Sequence, residues 1–97
     1  MKQPINVTTD RSVNAAYVEY APESSVSTVN LTETGSVAYD VDVDGNVVGI
    51  EVLGIQHPER IEIAREFAAS RELAFPRDLT SGVNESRLII CRSRPQN

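Results

Sequence analysis

The chain has 97 residues, which is the size of one domain, and 40% of them are hydrophobic and 24% charged, as in a globular protein. Its formal net charge of -5 argues against nucleic-acid binding, which needs clustered Lys and Arg. The single Cys91 excludes an internal disulfide, and no apolar run has the length of a signal peptide or a membrane span. We therefore expect a cytoplasmic protein that does not contact a membrane.

Residues 1–54 consist of short β-favouring segments separated by turn residues. Alternating or β-favouring residues indicate strands that begin near Ile5, Ala15 and Thr28. Pro22 separates the second strand from the third, because proline cannot donate to a β-ladder. The pattern predicts an antiparallel β-meander over residues 1–54.

The strongest local signal is a hairpin over residues 37–53. Asp44-Gly45 at its centre is typical of a two-residue type I′ turn. This turn predicts four pairs on one largely apolar face: Val43 with Asn46, Val41 with Val48, Tyr39 with Ile50, and Val37 with Val52. A slip by one residue would mix apolar and acidic side chains on each face. The predicted outer face carries Asp40, Asp42 and Glu51.

The hydrophobic period changes after Gly54. Pro58 suits the first turn of a helix, and a broad apolar stripe predicts an amphipathic helix over residues 58–73. An apolar run predicts a last strand at 87–92, and residues 93–97 are expected to fray.

The predicted fold class is α+β, with an antiparallel sheet of four to five strands and one amphipathic helix packed on one face. The whole chain, residues 1–97, is predicted to form a single domain.

Two segments resemble a known family. Residues 10–18 read Asp-Arg-Ser-Val-Asn-Ala-Ala-Tyr-Val, and residues 40–53 read Asp-Val-Asp-Val-Asp-Gly-Asn-Val-Val-Gly-Ile-Glu-Val-Leu. They resemble the motifs Asp-x-x-x-Asp-Ala-x-Tyr-Ile and Asp-Tyr-Asp-x-Asp-Gly-x-Val-Val-Gly-Ile-Glu-Ile-Leu of small bacterial and phage proteins called domain of unknown function 2283. Asn14 stands where that family has an acid. The resemblance covers about the first sixty residues.

The resemblance implies no catalytic residues, because the family has none assigned. Some members lie beside small toxin-like genes and are suspected antitoxins. The resemblance therefore implies an antitoxin-like role, or an accessory role in a phage or its host.

The segment Asp40–Glu51 also has the spacing of an EF-hand calcium loop, with acids at loop positions one, three and five, Gly at six and Glu at twelve. Calcium takes about six to eight oxygen ligands, which such a loop supplies. An EF-hand loop lies between two helices, whereas both flanks here alternate with the period of strands. The hairpin is preferred, and calcium binding through this loop is the alternative.

No arrangement of side chains in the sequence points to catalysis. His57 is the single histidine and precedes Pro58, where a position at the helix terminus explains it. Cys91 lies in an apolar run, where a small buried residue is the simplest interpretation. We expect no enzymatic activity, no cofactor and no metal ligands.

The predicted function is that of a non-catalytic interaction protein. The acidic face of Asp40, Asp42 and Glu51 would bind a basic surface of another protein. For these three residues a solvated face that keeps the sheet soluble is the preferred interpretation, and docking of a basic partner is the alternative. Self-association into a homo-oligomer through an edge strand is a further expectation, and neither nucleic acid nor membrane is an expected partner.

Overall fold

The computed structural model describes residues 1–79, which form a five-stranded antiparallel sheet with one helix against one face. The elements are β1 (Asn6–Asp10), β2 (Ala15–Glu19), β3 (Ser27–Asn30), β4 (Val37–Val41), β5 (Val47–Leu53) and α1 (Pro58–Ser70). The predicted α+β class is confirmed. The predicted last strand at 87–92 and the tail at 93–97 lie outside the described residues.

The strand order is β1-β2-β5-β4-β3, so the sheet is not a simple meander over residues 1–54. β5 pairs with both β2 and β4, while β3 lies at the edge beside β4 and makes no pair with β2. The polarity of the strands explains this correction. β5 is the longest strand and mostly buried, whereas every residue of β3 is exposed. The most apolar strand therefore occupies the centre and the most polar one an edge.

The hydrophobic core lies between α1 and the sheet. Val37, Ile50 and Val52 are fully buried on this face, together with Ala64 and Ala68 of α1. The ring of Tyr39 stacks on Phe67 with 4.3 Å between the ring centroids. The register pairs Val37 with Val52 and Tyr39 with Ile50, as predicted. Among residues 1–79, no helix is long and apolar enough to cross a bilayer.

The predicted two-residue turn of the β4–β5 hairpin is wrong. Val43, Asp44 and Gly45 form a three-residue loop, which Gly45 N–H closes by donating to Asp42 O at 3.0 Å. Gly45 has a φ of +86°, a conformation that glycine adopts without steric cost. A loop with a final left-handed glycine is the next most common hairpin connection after the two-residue turn.

A β-bulge compensates for the longer loop. Val41 pairs with Val47, and the next pair is Asp40 with Gly49, so Val48 is the additional residue. The bulge restores the predicted register for the rest of the hairpin. The apolar face is therefore kept for the pairs Val37–Val52 and Tyr39–Ile50, whereas Val43, predicted on that face, is 81% exposed in the loop.

The helix ends at Ser70, before the predicted end at residue 73. Glu72 has a φ of +60° and turns the chain, so that Leu73 enters the core. The backbone of Lys2 flanks Leu73: its N–H donates to Glu72 O at 3.1 Å, and its carbonyl accepts from Ala74 N–H at 2.8 Å. The residues after α1 therefore pack back on the domain instead of continuing the helix.

Two buried side chains fix this returning segment. Tyr20 donates its hydroxyl to Ala74 O at 2.6 Å, and Thr9 donates to Leu79 O at 2.8 Å. Burial raises the pKa of Tyr20 to about 12, so its hydroxyl stays protonated and remains a donor across the physiological range.

Candidate functional site

Asp40 lies at the centre of a hydrogen-bonded group on the sheet face opposite α1. Tyr17 of β2 donates its hydroxyl to Asp40 Oδ2 at 2.8 Å, and Thr28 of β3 donates to Oδ1 at 2.6 Å. The side chain of Asp40 is 0% exposed. A buried carboxylate needs such donors, because its loss of hydration is otherwise costly. We call Tyr17, Thr28 and Asp40 the Asp40 network.

Gly49 provides the space through which Tyr17 reaches Asp40. Gly49 lies in β5, between Glu19 of β2 and Asp40 of β4. A Cβ atom at this position would overlap with the phenol oxygen of Tyr17. The phenol therefore crosses the central strand, and the Asp40 network connects β2 with β4 and β3.

Asp42 occupies a different environment, in the hairpin turn. Its Oδ1 accepts the backbone N–H groups of Asn46 and Asp44, both at 2.9 Å. These hydrogen bonds, that of Asn46 first, hold the pKa of Asp42 below its ordinary value. Asp42 is thus a residue that stabilises the turn.

The predicted acidic face is not formed as a solvated strip. Asp40 is buried, Asp42 is bound to the turn, and Glu51 is half-buried in the middle of β5. Alternation placed Asp40 on the face opposite the core, but the surroundings of that face make it an internal acceptor. The prediction that its carboxylate is solvated is therefore corrected.

The same positions separate the oxygens of the calcium-loop alternative. Asp40 Oδ1 and Oδ2 receive hydroxyl donors, while Asp42 Oδ1 receives backbone donors at the turn. Within residues 1–79, no group of three or more His, Cys, Asp or Glu side chains is arranged to hold a metal ion. The geometry does not favour this alternative.

His57 lies at the N-cap position of α1, in an extended conformation and without a side-chain capping hydrogen bond. Its Nδ1 is 3.8 Å from a carboxylate oxygen of Glu59. This terminal position is the predicted one. Cys91 lies outside the described residues.

An open cleft of about 570 Å³ borders the hairpin turn. Its lining includes the acidic Glu23, Asp42 and Asp44 and also the basic Lys2 and Arg71. Because both signs of charge are present, the cleft does not select a cation or an anion by its electrostatics.

β3 is the most exposed element of the sheet. All four of its residues are exposed, and the segment Ser-Thr-Val-Asn contains neither a charge nor a proline. Val29 within it is 39% exposed, and Val26 just before it is 61% exposed. Edge strands usually carry charges, prolines or bulges, which prevent pairing with another chain. β3 has no charged residue and no proline.

The backbone of β3 presents two hydrogen-bonding residues to its outer side. Leu31 donates its N–H to Val37 O at 2.7 Å, which shows that the odd-numbered residues of β3 itself face β4. Just before the strand the alternation is interrupted, because Val26 N–H also donates to Val41 O at 2.9 Å. Because the direction of backbone groups alternates along a strand, Thr28 and Asn30 direct their N–H and C=O groups away from β4. We call these outward groups, with the side chains of Val26 and Val29, the β3 edge.

The family model described as protein of unknown function (DUF2283) matches residues 6–56, more than half of the chain. The chain belongs to the DUF2283 family. No curated protein and no solved structure matches the chain. The matched residues include all five strands, whereas α1 follows them.

The DUF2283 motifs meet in the Asp40 network. Tyr17 comes from the first motif, and Asp40 and Gly49 come from the second. Tyr17 and Thr28 are partners of Asp40 that the sequence pattern does not predict. One signal for them existed, since a glycine inside a strand often marks the close approach of another group.

Asn14, which stands where the resembled motif has an acid, occupies a left-handed backbone position. It has a φ of +52°, and its carbonyl accepts the N–H groups of Gly54 and Ile55 at 2.7 and 2.9 Å. Asn and Asp adopt this left-handed conformation more readily than other residues except Gly. Asn14 can therefore replace the acid of the motif without loss of this backbone geometry.

Proposed function

We propose that this DUF2283 protein is a non-catalytic module that binds another protein by adding a strand of that partner to β3. The β3 edge carries the proposal, because it offers the outward N–H and C=O groups of Thr28 and Asn30 beside exposed valines. Strand addition is a general mode of recognition, in which the backbone supplies affinity and alternate side chains supply specificity.

Charge indicates the chemistry of the partner. Exposed Glu23 precedes β3 and exposed Glu33 follows it, while Asp42 adjoins the strand that pairs with it. The net charge of -5 attracts a basic protein and opposes a second copy of the chain. A strand with uncharged central residues and Lys or Arg at its ends therefore fits the β3 edge.

An antitoxin-like role, with a small basic toxin as partner, is the setting that we propose for this binding in the cytoplasm. The family resemblance and the acidic charge support it. An accessory protein of a phage or its host would use the same surface.

The β3 edge is tested with Asn30→Pro and a synthetic peptide. The N–H of Asn30 points outward, so the proline removes a group that a partner needs while the β3–β4 hydrogen bonds remain. The probe is a peptide of alternating Val and Thr with Lys at both ends. A matched peptide carries Glu at the ends.

The Lys-ended peptide is expected to shift the NMR amide signals of Thr28 and Asn30 at about millimolar concentration. The Glu-ended peptide and the Asn30→Pro variant should each bind at least about tenfold more weakly, whereas Asn30→Ala should bind like the wild type. Equal shifts in Asn30→Pro would overturn the proposal. A concentration-dependent dimer without peptide binding would instead assign the β3 edge to self-association.

A further inference from the structure

We infer that Asp40 is a positioning residue for the β3 edge: through Thr28, its buried carboxylate holds β3 in the register that directs Thr28 and Asn30 outward. This inference rests on the proposed function of that edge. It assigns to the Asp40 network a role that neither the family nor the strand pattern indicates.

β3 is held to β4 by backbone hydrogen bonds and, just past its end, by Thr32, whose Oγ1 accepts Val37 N–H at 3.2 Å. It is four residues long, and none of its residues is buried. Solvent-exposed backbone hydrogen bonds at a sheet edge open with low free energy. The 2.6 Å hydrogen bond from Thr28 to Asp40 Oδ1 connects β3 to a buried side chain on that face.

The network also discriminates between registers. Thr28 and Asp40 are directly paired, so a slip of one residue turns the threonine side chain to the other face of the sheet. A slip of two residues places Val26 or Asn30 opposite Asp40, and neither has a hydroxyl group. The hydroxyl of Thr28 therefore favours the observed register over a slip of two residues. A slip of one residue that pairs Ser27 with Asp40 is disfavoured because it moves every side chain of β3 to the other face.

Tyr17 completes the arrangement from the opposite side. It donates to the other carboxylate oxygen, so the orientation of Asp40 is set from β2, across the central strand. A carboxylate held from two sides is a fixed acceptor, and β3 is aligned against it. In this way the motif residues of β2 and β4 determine the geometry of an edge strand that neither motif contains.

The experiment compares Thr28→Val with Thr28→Ser by amide hydrogen exchange. Valine keeps the shape of threonine but has no hydroxyl, whereas serine keeps the hydroxyl. The readouts are the amides of Val29 and Leu31, which bond to β4. The reference is the amide of Val18, between β2 and β5.

Thr28→Val is expected to raise exchange at Val29 and Leu31 about tenfold, the size expected for losing a hydrogen bond to a charged group. Exchange at Val18 should stay unchanged, and Thr28→Ser should resemble the wild type. Equal exchange in the two variants refutes the inference. So does a uniform increase that includes Val18, because this would indicate global destabilisation.

The same samples separate this inference from the proposed function. If the exchange changes as expected but the wild type does not bind the Lys-ended peptide, strand addition fails and the positioning role stands. If exchange at β3 does not change, the positioning role fails even where the peptide binds.

Discussion

Tyr17, Gly49 and Asp40 depend on one another by size as much as by charge. The phenol passes over Gly49, where a Cβ atom would overlap with it, and its hydroxyl there reaches Asp40. A substitution at one of the three positions is therefore felt at the others, as is usual for residues in direct contact.

Gly49→Ala is expected to destabilise the protein by about 2 kcal/mol, because the added methyl group displaces the phenol from Asp40. The cost should be smaller when Tyr17 is already alanine, since the overlap is then absent. Urea unfolding of Gly49→Ala, Tyr17→Ala and the double variant measures this coupling. Strictly additive costs would show that the two side chains do not compete for space.

The sequence pattern predicted the face of the sheet on which Asp40 lies, but it did not predict which residues surround its side chain. Alternation correctly separated Asp40 from the core residues Val37 and Tyr39. It did not show that Tyr17, more than twenty positions away, would cover Asp40, because β2 and β4 are separated by β5 in the sheet. Long-range neighbours of this kind follow from strand order, which a local pattern does not contain.

The hairpin turn contains one charged side chain that contributes to its stability. Asp42 accepts two backbone N–H groups, and its pKa lies below the ordinary value of 3.8. The folded state thus favours the ionised form. This stabilisation is fully present above pH 3.8 and is lost as the pH falls through the lower pKa of the folded protein.

Asp42→Asn is expected to flatten the acid limb of a plot of Tm against pH. Asparagine keeps an oxygen acceptor but cannot ionise, so the turn loses its dependence on pH without losing its hydrogen bonds. Thermal unfolding of both proteins between about pH 6 and pH 2 provides the measurement. Parallel acid limbs for the two proteins would contradict the role of Asp42 in the turn.

The hydrophobic pattern predicted which residues of β4 and β5 share a face, but it did not predict the longer loop or the bulge. The loop is one residue longer than predicted, and the bulge at Val48 adds one residue to the opposite strand. The extra loop residue and the extra bulge residue shift the register in opposite directions, so the pairs beyond the bulge are the predicted ones. Periodicity reports which residues face the core, and it is insensitive to paired irregularities.

The whole molecule joins a family-matched sheet to a helix outside the match. The family model ends at residue 56, but Val37, Ile50 and Val52 of the sheet are fully buried on the face that α1 covers. Full burial of three such side chains contributes about 6 kcal/mol. That amount is comparable to the total stability of a small domain.

A chain of residues 1–56 is therefore expected to lose cooperative thermal unfolding and to aggregate, because its apolar face lacks a cover. Circular dichroism during heating and size-exclusion chromatography test this against the 97-residue chain. A monomeric fragment with a sharp transition would show that the sheet does not need α1.

The overall arrangement was only partly accessible from sequence. Strand and helix positions followed from local periodicity, and the packing of α1 on one face followed from its apolar stripe. The central position of β5 and the edge position of β3 were not predicted, because the order of the strands in the chain favours a meander. The sequence signal for the observed strand order was polarity: β5 is mostly apolar, whereas β3 is mostly polar.

Because the backbones of Lys2 and Leu73 are paired, a label at residue 1 can report the detachment of the segment that follows α1. Met1 is exposed. The next residue, Lys2, forms backbone hydrogen bonds with Glu72 and Ala74, the two residues that flank buried Leu73. A fluorophore attached at this first position would sense when residues 71–79 detach from the sheet. The release of that segment can thus be timed separately from the opening of the hairpin, with no label in the interior.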